Sequence, residues 1–131
     1  MLCREIYRAA VGMTGEDASD DCIFDYEDSS GYLLATFCRD CAAIDARYRI
    51  AHALGSASIP NGAFIDLEDD FPLCDALVPA ATYYLAAMLV ADENEELSDR
   101  FFTLYTDSIS AVTASLPASR SSVSDRYGLL K

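Results

Sequence analysis

The stretch Leu33-Leu34-Ala35-Thr36-Phe37-Cys38-Arg39-Asp40-Cys41-Ala42-Ala43-Ile44-Asp45-Ala46-Arg47-Tyr48 decides the fold class. At 100° per residue, Leu34, Phe37, Cys38, Cys41, Ile44 and Tyr48 share one stripe, while Arg39, Ala43 and Arg47 fall opposite. Ser29 and Ser30 can accept the orphan N–H groups at the start of such a helix, and Gly55 suits a left-handed cap at its end. The pattern predicts one helix of about 24 residues and roughly 36 Å, the spine of the domain. Two polar residues, Asp45 and His52, fall near the middle of its apolar stripe. Arg49 stands one turn beyond Asp45, which predicts a partly buried Asp45–Arg49 pair.

Working outward, Leu2, Ile6, Ala9, Ala10 and Met13 recur at helical spacing, and Gly12 and Gly15 mark a stop. Glu16 to Asp28 is acid-rich around Ile23, Phe24 and Tyr26, and reads as a loop or a single turn. After the spine, Pro60-Asn61-Gly62 signals a turn, and Ala63 to Leu67 reads as a short strand or an extended loop. A short β-ribbon through Ile59 and Phe64 is one form that residues 57–67 can take. Asp70 with Pro72 opens a helix that Pro79 breaks or kinks, and the chain resumes from Pro79 to Ala91 as its most apolar helix. The alanines of that helix let a neighbouring backbone approach closely. Asp92-Glu93-Asn94-Glu95 caps a last helix carrying Leu97, Phe101, Leu104, Tyr105, Ile109 and Val112 on one stripe, which stops at Leu116-Pro117. The expected fold is all-α: a single domain of four to five helices over residues 1–117. Residues 118–131 read as a flexible linker by composition, ending in a hook, Asp125-Arg126-Tyr127-Gly128-Leu129-Leu130.

The chain has 131 residues, enough for one domain with a real core. It sets 9 Lys and Arg against 22 Asp and Glu, a net charge of −13, yet 52% of its residues are hydrophobic, which excludes a disordered acidic tail. So few cations argue against gripping a nucleic-acid backbone. The opening Met-Leu-Cys-Arg-Glu-Ile-Tyr-Arg mixes charges into its apolar residues, unlike a signal peptide, so export is not expected. Ala76 to Ala91 is charge-free but shorter than the roughly 18 to 20 residues that span a bilayer, and it has acidic flanks; it reads as a buried helix, with no membrane partner.

Chemistry-bearing residues are sparse. The five cysteines are odd in number and read as reduced thiols. Cys38-Arg39-Asp40-Cys41 is a C-x-x-C, but it lies about two turns inside a helix, where the dipole no longer activates a thiol. As half a zinc site it lacks a second pair among Cys22, Cys74 and His52. His52 is the only histidine and stands about three turns from Cys41, too far to serve it as a base. Neither acidic cluster, Asp66 to Asp70 or Asp92 to Glu96, has the alternating spacing of a calcium loop, and no phosphate-binding glycine motif occurs. The reading is therefore a protein that is not an enzyme, with no metal, no cofactor and no evident small-molecule substrate. The adjacent pairs Tyr83-Tyr84 and Phe101-Phe102 point to both sides of their helices, so one member of each pair faces solvent or a partner.

The run Leu67-Glu68-Asp69-Asp70-Phe71-Pro72-Leu73, the helix Val78 to Val90, Asp92-Glu93-Asn94, Phe101-Phe102 and Tyr105 resemble small structural proteins of tailed-phage and prophage head–tail modules. Ile6-Tyr7-Arg8-Ala9-Ala10 and Asp125-Arg126-Tyr127-Gly128 resemble the two ends of the same proteins. The resemblance is to the head–tail connector, adaptor or neck group, and it implies a helical protein that assembles with itself as a ring beneath the portal. It further implies contacts with portal or neck proteins, DNA passing only as non-adhering cargo, and a place in the bacterial cytoplasm and then in the assembled virion. The contact residues expected on this reading are Glu68, Asp69, Phe71, Tyr83, Tyr84, Phe102 and Tyr127. Two other readings stay open: an acidic DNA mimic that occupies a DNA-binding enzyme, and a small thiol or zinc module.

Overall fold

The computed structural model describes residues 1–15, 23–57, 59 and 62–117. The linker and hook at 118–131 with Tyr127, the Pro60-Asn61 half of the expected turn, and the Glu16 to Cys22 part of the acidic segment lie outside the described residues. The fold is all-α, with α1 (Cys3–Met13), α2 (Ile23–Asp40), α3 (Ala42–Ala51), a single 3-10 turn (Asp75–Leu77), α4 (Val78–Val90) and α5 (Glu95–Ala114).

The expected spine is two helices. It begins earlier, at Ile23, and breaks at Cys41, whose φ of −100° and ψ of 5° leave the helical region. The chain does not unravel there, because the Cys41 N–H still donates to Phe37 O and the Asp45 N–H to Cys41 O, both at 2.9 Å. Ser29 and Ser30 therefore sit inside α2 rather than capping it, and the Ser30 hydroxyl donates back to the Tyr26 carbonyl one turn earlier. The left-handed cap also moves. Ala53, at φ 55°, takes the place expected of Gly55, with Leu54 N–H donating to Arg49 O at 2.7 Å and Ala53 N–H to Ile50 O at 3.3 Å.

The centre of the domain is α4. Helices α1, α2 and α5 all pack against it. Ala80, Ala81, Ala86 and Ala87 have no exposed surface, so the small side chains expected to admit close neighbours do so. Pro79 lies in the first turn of α4, where its missing N–H costs nothing, so it starts the helix instead of kinking it. Residues 70–74, expected to be helical, are not. Their backbone is taken up elsewhere: the Phe71 N–H donates to Met1 O at 2.8 Å, and Asp70 forms an isolated antiparallel bridge with Leu2.

Residues 62–66 form a loop that bends at Gly62 and Ala63 and contains no strand, the loop form of the two expected. Their anchor is Gly31 on α2, whose carbonyl accepts the Ile65 N–H at 3.0 Å. The Phe64 ring occupies the place where a side chain at position 31 would stand, so only glycine admits this approach. In the core, Phe37 meets the rings of Phe71, Tyr84 and Tyr105 at 6.2, 5.7 and 6.1 Å, joining α2, the 70s segment, α4 and α5. Asn94 caps α5 by accepting the Leu97 N–H at 3.0 Å, and the Ser98 hydroxyl ties α5 to the Ala87 carbonyl of α4 at 2.8 Å.

Candidate functional site

Asp45 and Arg49, on successive turns of α3, form the expected pair: Arg49 Nε donates to Asp45 Oδ2 at 2.9 Å, and Asp45 is 1% exposed. The carboxylate also accepts the Cys74 N–H at 2.7 Å, and the guanidinium donates to Gly55 O and Pro72 O at 3.0 and 3.1 Å. Every strong group here is answered from within the chain, so the pair is a clasp between α3, the 50s loop and the start of the 70s segment. The pair forms one wall of a small, partly open cavity of about 240 Å³ whose other walls are mainly apolar, from Ala46, Ile50, Leu54 and Ile59.

The four described cysteines, Cys3, Cys38, Cys41 and Cys74, are all free and buried. Burial raises Cys38 to about 12 and Cys3, Cys41 and Cys74 to about 11, with Asp69 and Asp70 adding to Cys3 and Asp45 to Cys74. These thiols stay protonated near neutrality and act as small apolar side chains. Among the described residues, no three His, Cys, Asp or Glu side chains are grouped to hold a metal ion. His52 closes α3 in an exposed position, stacked on Tyr48 with ring centroids 4.0 Å apart and its Nδ1 3.0 Å from Tyr48 O.

The expected contact residues divide into surface and core. Phe71 and Tyr84 belong to the core, 8% and 9% exposed, because both face the ring of Phe37, so each offers little surface to a partner. Glu68 and Asp69 are exposed, but their segment straps the N-terminus: Asp69 O accepts the Cys3 N–H at 2.9 Å, Leu67 O accepts the Arg4 N–H at 2.8 Å, and Arg4 bridges Glu68 and Glu27. Tyr83 is half-buried. Phe102 is exposed, and its ring meets Tyr105 edge-on at 5.6 Å, so the aromatic cluster of the core runs out to the surface there. Leu104, assigned to the buried stripe of α5, is 39% exposed.

A second surface was not singled out from the sequence. Between α2 and α4, Tyr26, Tyr32, Leu33, Met88, Leu89 and Asp92 line an open groove of about 450 Å³. Tyr32 is 56% exposed, and Phe64, edge-on to it at 5.0 Å, continues the apolar surface. The signal was present: Tyr32 lies opposite the apolar stripe of α2, where a polar residue is the rule. Asp92 stands at the groove's rim, and Glu93 accepts the Tyr26 hydroxyl at 2.7 Å. No helix among the described residues is long and apolar enough to cross a membrane.

No family model, curated protein or solved structure matches this chain.

Proposed function

We propose that the chain is a non-enzymatic assembly protein that works through contacts with copies of itself and with other proteins, in the manner of a head–tail connector forming a ring beneath a phage portal. The observation that carries this reading is the pair of exposed apolar surfaces: Tyr32, Phe64 and Met88 along the α2–α4 side, and Phe102 with Leu104 on α5. A ring needs two different faces on each subunit, because each copy meets its neighbours head to tail. The net charge of −13 fits a lumen through which DNA slides without being held, since a basic lining would bind phosphates by counterion release. On this reading the protein assembles in the bacterial cytoplasm and remains in the virion. Light scattering and negative-stain imaging of the purified protein, alone and mixed with a portal ring, test it: closed rings or portal-bound particles are expected. A strict monomer that ignores the portal overturns it.

A further inference from the structure

The α2–α4 groove joins an apolar floor to an acidic rim. Met88 and Tyr32 are 40% and 56% exposed on its walls, Asp92 and Glu93 stand at its end, and among the described residues no basic side chain lines it. The C-terminal segment has the opposite character. Residues 118–131, outside the described part, hold Arg120, Arg126 and Lys131, three of the chain's nine basic residues, against Asp125 alone of its 22 acids. Arg126 and Lys131 flank Tyr127-Gly128-Leu129-Leu130, so cations bracket a short apolar run.

We infer that Tyr127-Gly128-Leu129-Leu130 of one copy docks in the α2–α4 groove of a second copy, with its flanking cations against Asp92 and Glu93. Apolar side chains entering the groove supply the attraction, and the charge bracket fixes orientation. Reach decides between the chain's own groove and a neighbour's. The groove ends at Met88 and Asp92, beside the start of α5, whereas residues 118–131 leave from its far end, and a helix of 20 residues is about 30 Å long. From Pro117 to Leu129 the backbone spans about 40 Å at full stretch. Closing onto its own groove would hold the segment at about three-quarters of its full reach and surrender much of its conformational freedom. A neighbouring copy imposes no such limit, and repeated around a ring the same contact is reinforced by multivalency. The inference deepens the assembly reading by naming its contact, and either can fail alone.

The test uses the full chain carrying Leu129→Asp and Leu130→Asp, together with a fluorescent peptide of residues 118–131. Wild-type protein is expected to self-associate in light scattering, and the double variant to be monomeric with its groove open to the peptide. Adding Met88→Glu, or separately Tyr32→Asp, to that variant should weaken peptide binding by about tenfold or more while the circular-dichroism melting curve stays cooperative. The docking is overturned if the peptide does not bind the double variant, or binds as well after Met88→Glu and Tyr32→Asp. A wild-type chain that is monomeric yet excludes the peptide at every concentration places the segment in its own groove and overturns the second-copy claim. Rings that persist in the double variant overturn the contact and leave the assembly reading standing. Self-association that depends on Leu129 and Leu130, in a chain that ignores a portal, supports the contact and sinks the portal.

Discussion

Asp45 shows how one residue can be legible in sequence and still change meaning in three dimensions. Its place on an apolar stripe with Arg49 one turn away announced a buried pair, and the pair is there at 2.9 Å. The third partner, the Cys74 N–H, comes from 29 residues further along, beyond any local pattern. Asp45→Ala leaves a part-buried guanidinium and a buried N–H without their acceptor, and should cost about 3–5 kcal/mol by urea unfolding. Asp45→Asn keeps an acceptor for Cys74 and should cost clearly less; equal losses for the two would show that the carboxylate's charge is what matters. The cysteines give a second prediction at this scale. Their folded values of about 11 to 12 lie above the ordinary thiol value of 9.0, so burial favours the neutral form. The stability that this raised value contributes is fully present below pH 9 and is lost as pH rises through the folded values. The urea midpoint should therefore hold steady up to about pH 9 and then fall, and in a Cys22→Ser chain, which leaves only the four described thiols, thiolate absorbance should rise only as the protein unfolds. Thiolate absorbance appearing near pH 9 in that variant while it is still folded would contradict it.

Among the elements, periodicity identified which residues face inward and missed where helices bend or stop. Leu34, Phe37, Cys38 and Cys41 are buried as the wheel requires, and Arg39 and Arg47 are exposed. The break at Cys41 left no trace, because cysteine neither lacks an N–H nor favours unusual backbone angles; the wheel of one straight helix describes both halves equally well. Pro79 misled for a related reason, since proline marks a boundary without saying on which side the helix lies. The end of α3 supplies a prediction: Ala53 at φ 55° holds the left-handed position where glycine is at ease, and its N–H and that of Leu54 close the helix. Ala53→Gly should relieve that strain and raise stability by roughly 0.5–1 kcal/mol, read as a shift in thermal midpoint. A fall in the midpoint would mean that the loop, and not the cap, sets the backbone there.

At the scale of the whole molecule, burying the core and offering a contact surface fall to neighbouring residues. Phe101 and Phe102 are adjacent in sequence, yet one is 6% exposed and the other 43%. The split was foreseeable from the doubling of aromatics, which no single helix face can absorb. The burial of Phe71 and Tyr84 was not, because it depends on Phe37 gathering rings from three other segments. If fold and assembly are carried by different side chains, they separate under mutation. Phe101→Ala removes a core ring and should cost about 3–5 kcal/mol in urea unfolding, since the cavity it leaves can close only in part. Leu104→Ser, on the outward side of the same helix, should change stability by no more than about 0.5 kcal/mol, because its side chain is already substantially in water. The same Leu104→Ser chain, concentrated and examined by light scattering, should associate less than wild type, with smaller or fewer particles at equal concentration. Wild-type association in a chain of unchanged stability would show that this face of α5 meets only solvent, and would leave the α2–α4 side to carry assembly.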